Sequence, residues 1–252
     1  MIAYYLIIFL LGLTLGSFFN VLIHRLPKGE SIIRPRSHCP GCGTSIRFYD
    51  NIPLVGYLLL RGRCRACGAA ISVRYPLVEL LSGAALLSVA VRYGQSPETL
   101  IFGMLVCFLI PIGVIDFHTR LILNRLTMPG IIAGVVLIFL LRPERWKDIL
   151  FGALGGGLLL LFFAVLGKLL FKKESLGMGD VKLMILIGVY VGFPDVLIAF
   201  YSGVVLAGLF ILGGMAVGKI RMGNSIAFGP FIASGAYVYV LWGDWMTRIL
   251  FR

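Results

Sequence analysis

Apolar residues run along this chain in long blocks separated by short polar connections, and the first block, residues 1–23, is long enough to cross a bilayer as a helix. Seven more follow at 77–91, 100–115, 126–141, 149–171, 181–191, 196–217 and 226–242, making eight. The pattern predicts an all-α polytopic membrane protein with about eight transmembrane helices. In the first block Gly12, Gly16, Asn20 and His24 recur every fourth residue, with Ser17 beside them, so one stripe is small and polar and is expected to pack inward. A secretory signal is the alternative for this block. It fits poorly, because no Lys or Arg precedes the apolar run and no small-residue cleavage site follows it. The block at 181–191 falls short of the roughly 20 residues a full span needs, so it is expected to start within the membrane or in a recessed site.

One interval breaks the pattern. Residues 25–75 carry nine Lys or Arg and only Glu30 and Asp50 as acids, which divides the chain into a first transmembrane helix (1–24), a cytoplasmic module (25–75) and a transmembrane core of about seven helices (76–252). The module holds two CxxC knuckles, Cys39-Pro40-Gly41-Cys42 and Cys64-Arg65-Ala66-Cys67, with 21 residues between them. That gap is slightly longer than the roughly 15 to 20 of common four-cysteine zinc spacings. Gly41, Gly43 and Gly68 permit tight turns, and four thiolates complete a closed tetrahedral shell, so a structural zinc ion is expected on Cys39, Cys42, Cys64 and Cys67. A redox CxxC pair is the competing reading. His38 adjoins a shell that is already full, and Cys107, inside an apolar block, reads as an ordinary buried thiol.

Composition supports the same class. With 59% hydrophobic and 13% charged residues, the chain is excluded from the soluble globular proteins. Glycine, at 32 residues, suits close helix contact in lipid. If residues 25–75 are cytoplasmic, seventeen Lys and Arg fall on that side, including Lys172, Lys173 and Arg221, against six, including Arg252, on the other. Both termini then lie outside. The net charge of +12 reflects this asymmetry and contact with anionic lipids rather than nucleic-acid binding, since the basic residues are spread between membrane segments.

Two carboxylates stand out against the apolar blocks. Asp180 closes the stretch Leu176-Gly177-Met178-Gly179-Asp180 at the mouth of one block, and Asp116 ends another. A carboxylate inside hydrocarbon costs on the order of 3 kcal/mol, so such residues face a protein interior or cavity and have a partner. Segment parity puts both at the same membrane face. Gly177 and Gly179 remove side chains where the backbone must bend or admit a neighbour. The reading is an intramembrane aspartyl protease of GxGD type, in which two close carboxylates share a proton, one activating water while the other donates. The competing readings are a proton relay in a transporter, which a site away from the midplane fits poorly, and a non-enzymatic zinc-containing assembly factor, which leaves the carboxylates unexplained.

These residues belong to an ordered set: Gly16-Ser17-Phe18-Phe19-Asn20-Val21, the two knuckles bracketing Asn51-Ile52-Pro53 and Leu60-Arg61-Gly62, Arg74-Tyr75-Pro76-Leu77-Val78-Glu79, Asp116, Gly177-Met178-Gly179-Asp180-Val181-Lys182-Leu183, and Phe228-Gly229-Pro230. With this set the chain resembles the type IV prepilin peptidase family, the bifunctional leader peptidases and N-methyltransferases of type IV pilus and type II secretion systems. One departure is that Leu123-Asn124-Arg125 stands before Leu126-Thr127, where the family often has Pro-Asp. The resemblance implies a bacterial inner-membrane enzyme whose substrates are pilin or pseudopilin precursors with a basic leader, a Gly at the cut, then Phe and an apolar helix. It also implies S-adenosylmethionine as methyl donor, although no glycine-rich nucleotide motif appears in residues 25–75. Glu79 is the best candidate for a role in that pocket, the plainer reading being an ion pair with Arg74 or another interfacial base. Lys182 either snorkels to the interface or sets the charge of the carboxylate pair.

Overall fold

The computed structural model describes residues 1–171, 177–220 and 226–250. Lys172, Lys173, Leu176, Arg221 and Arg252, used in the charge count and the Asp180 stretch, lie outside the described residues. Among those described there are no strands, and the contacts divide the chain into two compact units, Met1–Gln95 and Ser96–Arg252. This partition by contact differs from the partition by composition, because the first two long helices close on each other around the polar module.

In the first unit α1 (Ile2–Arg25) packs on α3 (Arg74–Tyr93), and the module between them holds the short α2 (Val55–Leu59). The two long helices run antiparallel. Tyr4 at the start of α1 donates to the carbonyl of Gly94 at the end of α3 (2.8 Å), while Asn20 near the end of α1 donates to the carbonyl of Tyr75 at the start of α3 (3.0 Å). The small stripe is the contact face, as expected. A Cβ on Gly12 would lie 2.7 Å from the Gly83 backbone, and one on Gly16 would lie 2.6 Å from the Glu79 Cα.

The second unit contains α4 (Pro97–Thr119), α5 (Asn124–Leu141), α6 (Trp146–Phe171), α7 (Met178–Val191), α8 (Asp195–Ala216) and α9 (Gly229–Leu250). Its centre is α7. This helix packs against all five others, and every residue of its last six, from Leu186 to Val191, is buried. A helix apolar on all sides must be enclosed on all sides, which accounts for the pattern at 181–191. Its 14 residues reach about 21 Å, short of a hydrocarbon core of about 30 Å. Gly152 and Gly188 let α6 and α7 touch backbone to backbone, and Gly203 and Gly235 do the same for α8 and α9. Among the described residues, six of the eight long helices are long and apolar enough to cross a membrane by length and composition: α1, α3, α4, α5, α6 and α8. This is a membrane protein.

Candidate active site and metal centre

Asp116 sits in the last turn of α4, which ends as Arg120 takes a left-handed conformation (φ 56°) and donates its N–H to the Asp116 carbonyl (2.8 Å). A carboxylate near the C-terminus of its own helix meets the wrong end of the dipole, a penalty of about 0.3–1 kcal/mol. Here α9 offsets that penalty. The N–H of Gly229, the first residue of α9, donates to Asp116 Oδ2 at 3.0 Å, and the side chain is buried. Any Cβ at position 229 would stand 2.5 Å from that oxygen, so the approach requires glycine.

Asp180 lies in the first turn of α7. Its Oδ2 accepts the N–H of the capping residue Gly177 at 3.1 Å, the reciprocal half of a capping box. Between Asp116 and Asp180 the chain runs out along α5 and back along α6, so both carboxylates come to one end of the unit, within electrostatic range of each other. Ile122, in the connection between α4 and α5, touches both turns. A Cβ on Gly179 would be 2.9 Å from the Ile122 Cβ, and one on Gly229 would be 3.2 Å from its Cδ1. Gly179 therefore does admit a neighbour. Gly177 has an extended conformation (φ −82°, ψ 151°) and room for a Cβ, whose nearest neighbour would be Asp180 Oδ2 at 3.6 Å. Lys182 directs its ammonium to Asn124 Oδ1 at 2.9 Å.

The four knuckle cysteines converge, with all Sγ atoms within 4.8 Å of one another and Cys39 and Cys67 at 3.8 Å. A regular tetrahedron of sulfurs about 2.3 Å from a central zinc ion has edges of about 3.8 Å, so the donor set and spacing fit that ion. Two matching turns build the site. Gly43 N–H donates to the Cys39 carbonyl and Gly68 N–H to the Cys64 carbonyl, and both glycines have φ of 70°. Short antiparallel bridges, His38 with Ser45 and Arg63 with Ala70, close the two turns. The Thr44 hydroxyl and amide hold the Cys42 thiol down at about 6, and the Cys67 and Ala66 amides hold Cys64 low, which favours thiolates at those two positions. His38 is exposed and turns to the Arg36 carbonyl. The long gap is tied back by Arg65, which forms a two-pronged pair with Asp50 (2.6 and 2.9 Å) and keeps that carboxyl below its usual range.

Glu79 is buried on α3, facing α1. Its Oε2 accepts the N–H of Leu54 at 2.8 Å, and the Ser17 hydroxyl is its other hydrogen-bond neighbour. No ion pair with Arg74 forms among the described residues. Leu54 adopts φ 61°, ψ −47°, a conformation few side-chain-bearing residues take, so the carboxylate braces a strained turn at the start of α2. One turn away, Asn20 donates to the carbonyls of Gly16 (3.2 Å) and Tyr75 (3.0 Å), which fixes its amide orientation and leaves buried Oδ1 without a hydrogen-bond partner among the described residues. Sequence reasoning had no sign of Ile122 or Leu54, since neither residue type carries chemistry. Gly229 stood in the ordered motif set without a role.

The family model described as the bacterial peptidase A24 N-terminal domain matches residues 10–93, and that of the type IV leader peptidase family matches residues 103–212. The chain is 35% identical to the prepilin leader peptidase/N-methyltransferase of Aeromonas salmonicida, across 97% of this chain and 93% of that protein. It is 36% identical to the protein of the same name from Pseudomonas putida, across 93% of this chain and 89% of that one. With the namesake from Myxococcus xanthus the identity is 43%, across 73% of this chain and 55% of the relative. No solved structure matches the chain.

Proposed function

The chain belongs to the type IV leader peptidase family, and from that premise we propose that it cleaves the basic leader from pilin-like or pseudopilin-like precursors and N-methylates the new N-terminus. The observation that carries the peptidase reading is the meeting of Asp116 and Asp180, from the last turn of α4 and the first turn of α7, each held by a glycine N–H. One carboxylate, ionised, takes a proton from water as the water oxygen attacks the scissile carbonyl. The other, protonated, donates to the carbonyl oxygen and then, as the tetrahedral intermediate collapses, a proton passes to the leaving amine. The pair titrates as a unit. Both aspartates lie at helix ends rather than mid-span, which favours an interfacial peptidase over a midplane proton relay. Gly179 and Gly229 let the turns close around Ile122. Lys182, held by Asn124, fixes the start of α7 to the start of α5.

The zinc ion is structural in this reading, since four thiolates leave no open coordination position. S-adenosylmethionine supplies the methyl group when bound. The α1–α3 joint fits a cationic donor of this kind, because Glu79 has lone pairs to spare beyond Leu54 and Ser17 and Asn20 Oδ1 is an unused acceptor. Affinity for the precursor comes from insertion of its apolar helix among the membrane segments. The Lys and Arg asymmetry supports a zinc module and both aspartates at the cytoplasmic face of a bacterial inner membrane, with both termini on the far side. The test is Asp116→Asn and Asp180→Asn, each close to isosteric and lacking one acid function. Each should reduce precursor cleavage, read by product mass, at least 1,000-fold with normal membrane insertion. Near-normal cleavage by either variant refutes the assignment.

A further inference from the structure

Exposed apolar side chains within the long helices have lipid to meet, but the zinc module lies outside those helices and still presents an apolar ridge. Phe48 is 85% exposed, Leu58 72% and Leu59 74%. The three belong to one surface element. The 3-10 turn Phe48–Asn51 packs on α2, and a Cβ at Gly56 would collide with the Asp50 carbonyl. The ridge has an arginine rim. Arg47 precedes Phe48 and its guanidinium lies by the Tyr49 ring, donating to its hydroxyl (2.5 Å), while Arg61 and Arg63 follow α2, exposed. Of the two acids in residues 25–75, Asp50 is paired with Arg65 and lies within electrostatic range of Arg47, and none of these three arginines forms an ion pair at contact distance among the described residues.

We propose that this ridge is a membrane-docking surface, with Phe48, Leu58 and Leu59 inserted at the headgroup boundary of an anionic phospholipid bilayer and Arg47, Arg61 and Arg63 on its phosphates. Apolar tips ringed by cations match such a surface in both chemistries, and each basic residue at an anionic surface adds attraction. The occupant is also the one closest to hand. The module leaves the membrane at the end of α1, Arg25, and re-enters it at the start of α3, Arg74, so both of its ends are anchored beside the lipid and the effective concentration of bilayer at the ridge is high. The inference needs only that α1 and α3 cross the membrane. It does not depend on the catalytic assignment or on which face the module occupies. Its consequence is a zinc module held against the membrane surface.

The experiment is hydrogen exchange by mass spectrometry on the full-length protein in three settings: nanodiscs with about one-third phosphatidylglycerol, nanodiscs of phosphatidylcholine alone, and detergent. The amides of residues 55–63 should exchange about tenfold or more slowly in the anionic nanodiscs than in the neutral ones, since three arginines act together. The triple variant Phe48→Ser, Leu58→Ser, Leu59→Ser, altered only at exposed positions, should lose that difference. Equal exchange in the two lipids, or slowing that persists in the triple variant, overturns the proposal. Equal protection in detergent and in anionic nanodiscs overturns it too, by showing that the ridge docks on protein.

Discussion

Replacing Gly229 with Ala tests how the Asp116 carboxylate is held. The new methyl carbon would stand 2.5 Å from Asp116 Oδ2, 3.0 Å from its Cγ and 3.2 Å from Ile122 Cδ1, whereas ordinary contact begins at 3.4 Å. Relief therefore needs a shift of about 0.9 Å, and the Gly229 N–H bond at 3.0 Å cannot survive it at full strength. A hydrogen bond to a charged group contributes about 1.5–3 kcal/mol, equivalent to roughly 10- to 150-fold, and a misplacement of about 1 Å near the chemistry costs about 100-fold. The expected result is a kcat for leader cleavage about 100-fold below wild type. KM should stay within about threefold, because the methyl touches the carboxylate and Ile122 rather than the surfaces that would take up the precursor's apolar helix. The assay is steady-state cleavage of a precursor peptide followed by mass, with Gly177→Ala as comparison, where a Cβ has room at 3.6 Å from Asp180 Oδ2. That variant should lose less than tenfold. A Gly229→Ala enzyme within threefold of wild-type kcat would refute the reasoning.

Gly179→Ala should also depress kcat, since its Cβ would be 2.9 Å from that of Ile122. Adding Ile122→Ala should restore part of the loss, with a coupling of about 0.5–3 kcal/mol in a double-mutant cycle, and strict additivity would count against the contact. Cys39→Ser with Cys42→Ser should drop zinc from one per chain to none by elemental analysis, because structural zinc contributes an apparent ~10–16 kcal/mol to modules of this kind. Peptidase activity should then fall mainly through a raised KM while methyl transfer vanishes. A variant that loses zinc yet methylates normally would move the methyl-transfer site out of this unit. Glu79→Gln keeps the Leu54 acceptor but removes the charge, so S-adenosylhomocysteine binding by calorimetry should weaken about tenfold or more while zinc content stays unchanged. Unaltered binding would remove Glu79 from the pocket.

What could be read from the sequence follows from which groups carry a signature. Carboxylates among apolar blocks and paired CxxC knuckles in a polar interval carry a signature, which is why Asp116, Asp180 and the four cysteines stand out as candidates in the sequence. The GxxxG-spaced stripe in α1 gave its packing face for the same reason, since Gly12, Gly16 and Asn20 break an otherwise apolar run. Contacts that depend on shape leave no such trace. Ile122 is one apolar residue among many, and its place between Gly179 and Gly229 arises only once α4, α7 and α9 converge. The same holds for Leu54, whose positive φ goes with the Glu79 bond to its N–H rather than with a turn-favouring residue type. Helix ends were harder still. The structure starts α4 at Pro97 and ends it at Thr119, beyond the apolar block 100–115, because capping and charged residues extend a helix after its buried face has stopped.

The short central helix and the pair of carboxylates are two sides of one arrangement. A helix of 14 residues wrapped by five others reaches about 21 Å and cannot meet both surfaces of a bilayer. Asp180 in its first turn is half-buried, and Asp116 at the end of α4 is buried. Each carboxylate is stabilised there by a backbone N–H of a glycine at a helix start, Gly177 for one and Gly229 for the other. A backbone donor suits this role because it carries no net charge to compete for the shared proton. The neighbouring cation is withheld in the same way. Lys182, one turn from the first glycine, is bound to Asn124, a neutral acceptor. The two glycine donors add no charge of their own to the pair, and the Arg120 guanidinium, four residues past Asp116, lies within electrostatic range of that carboxylate.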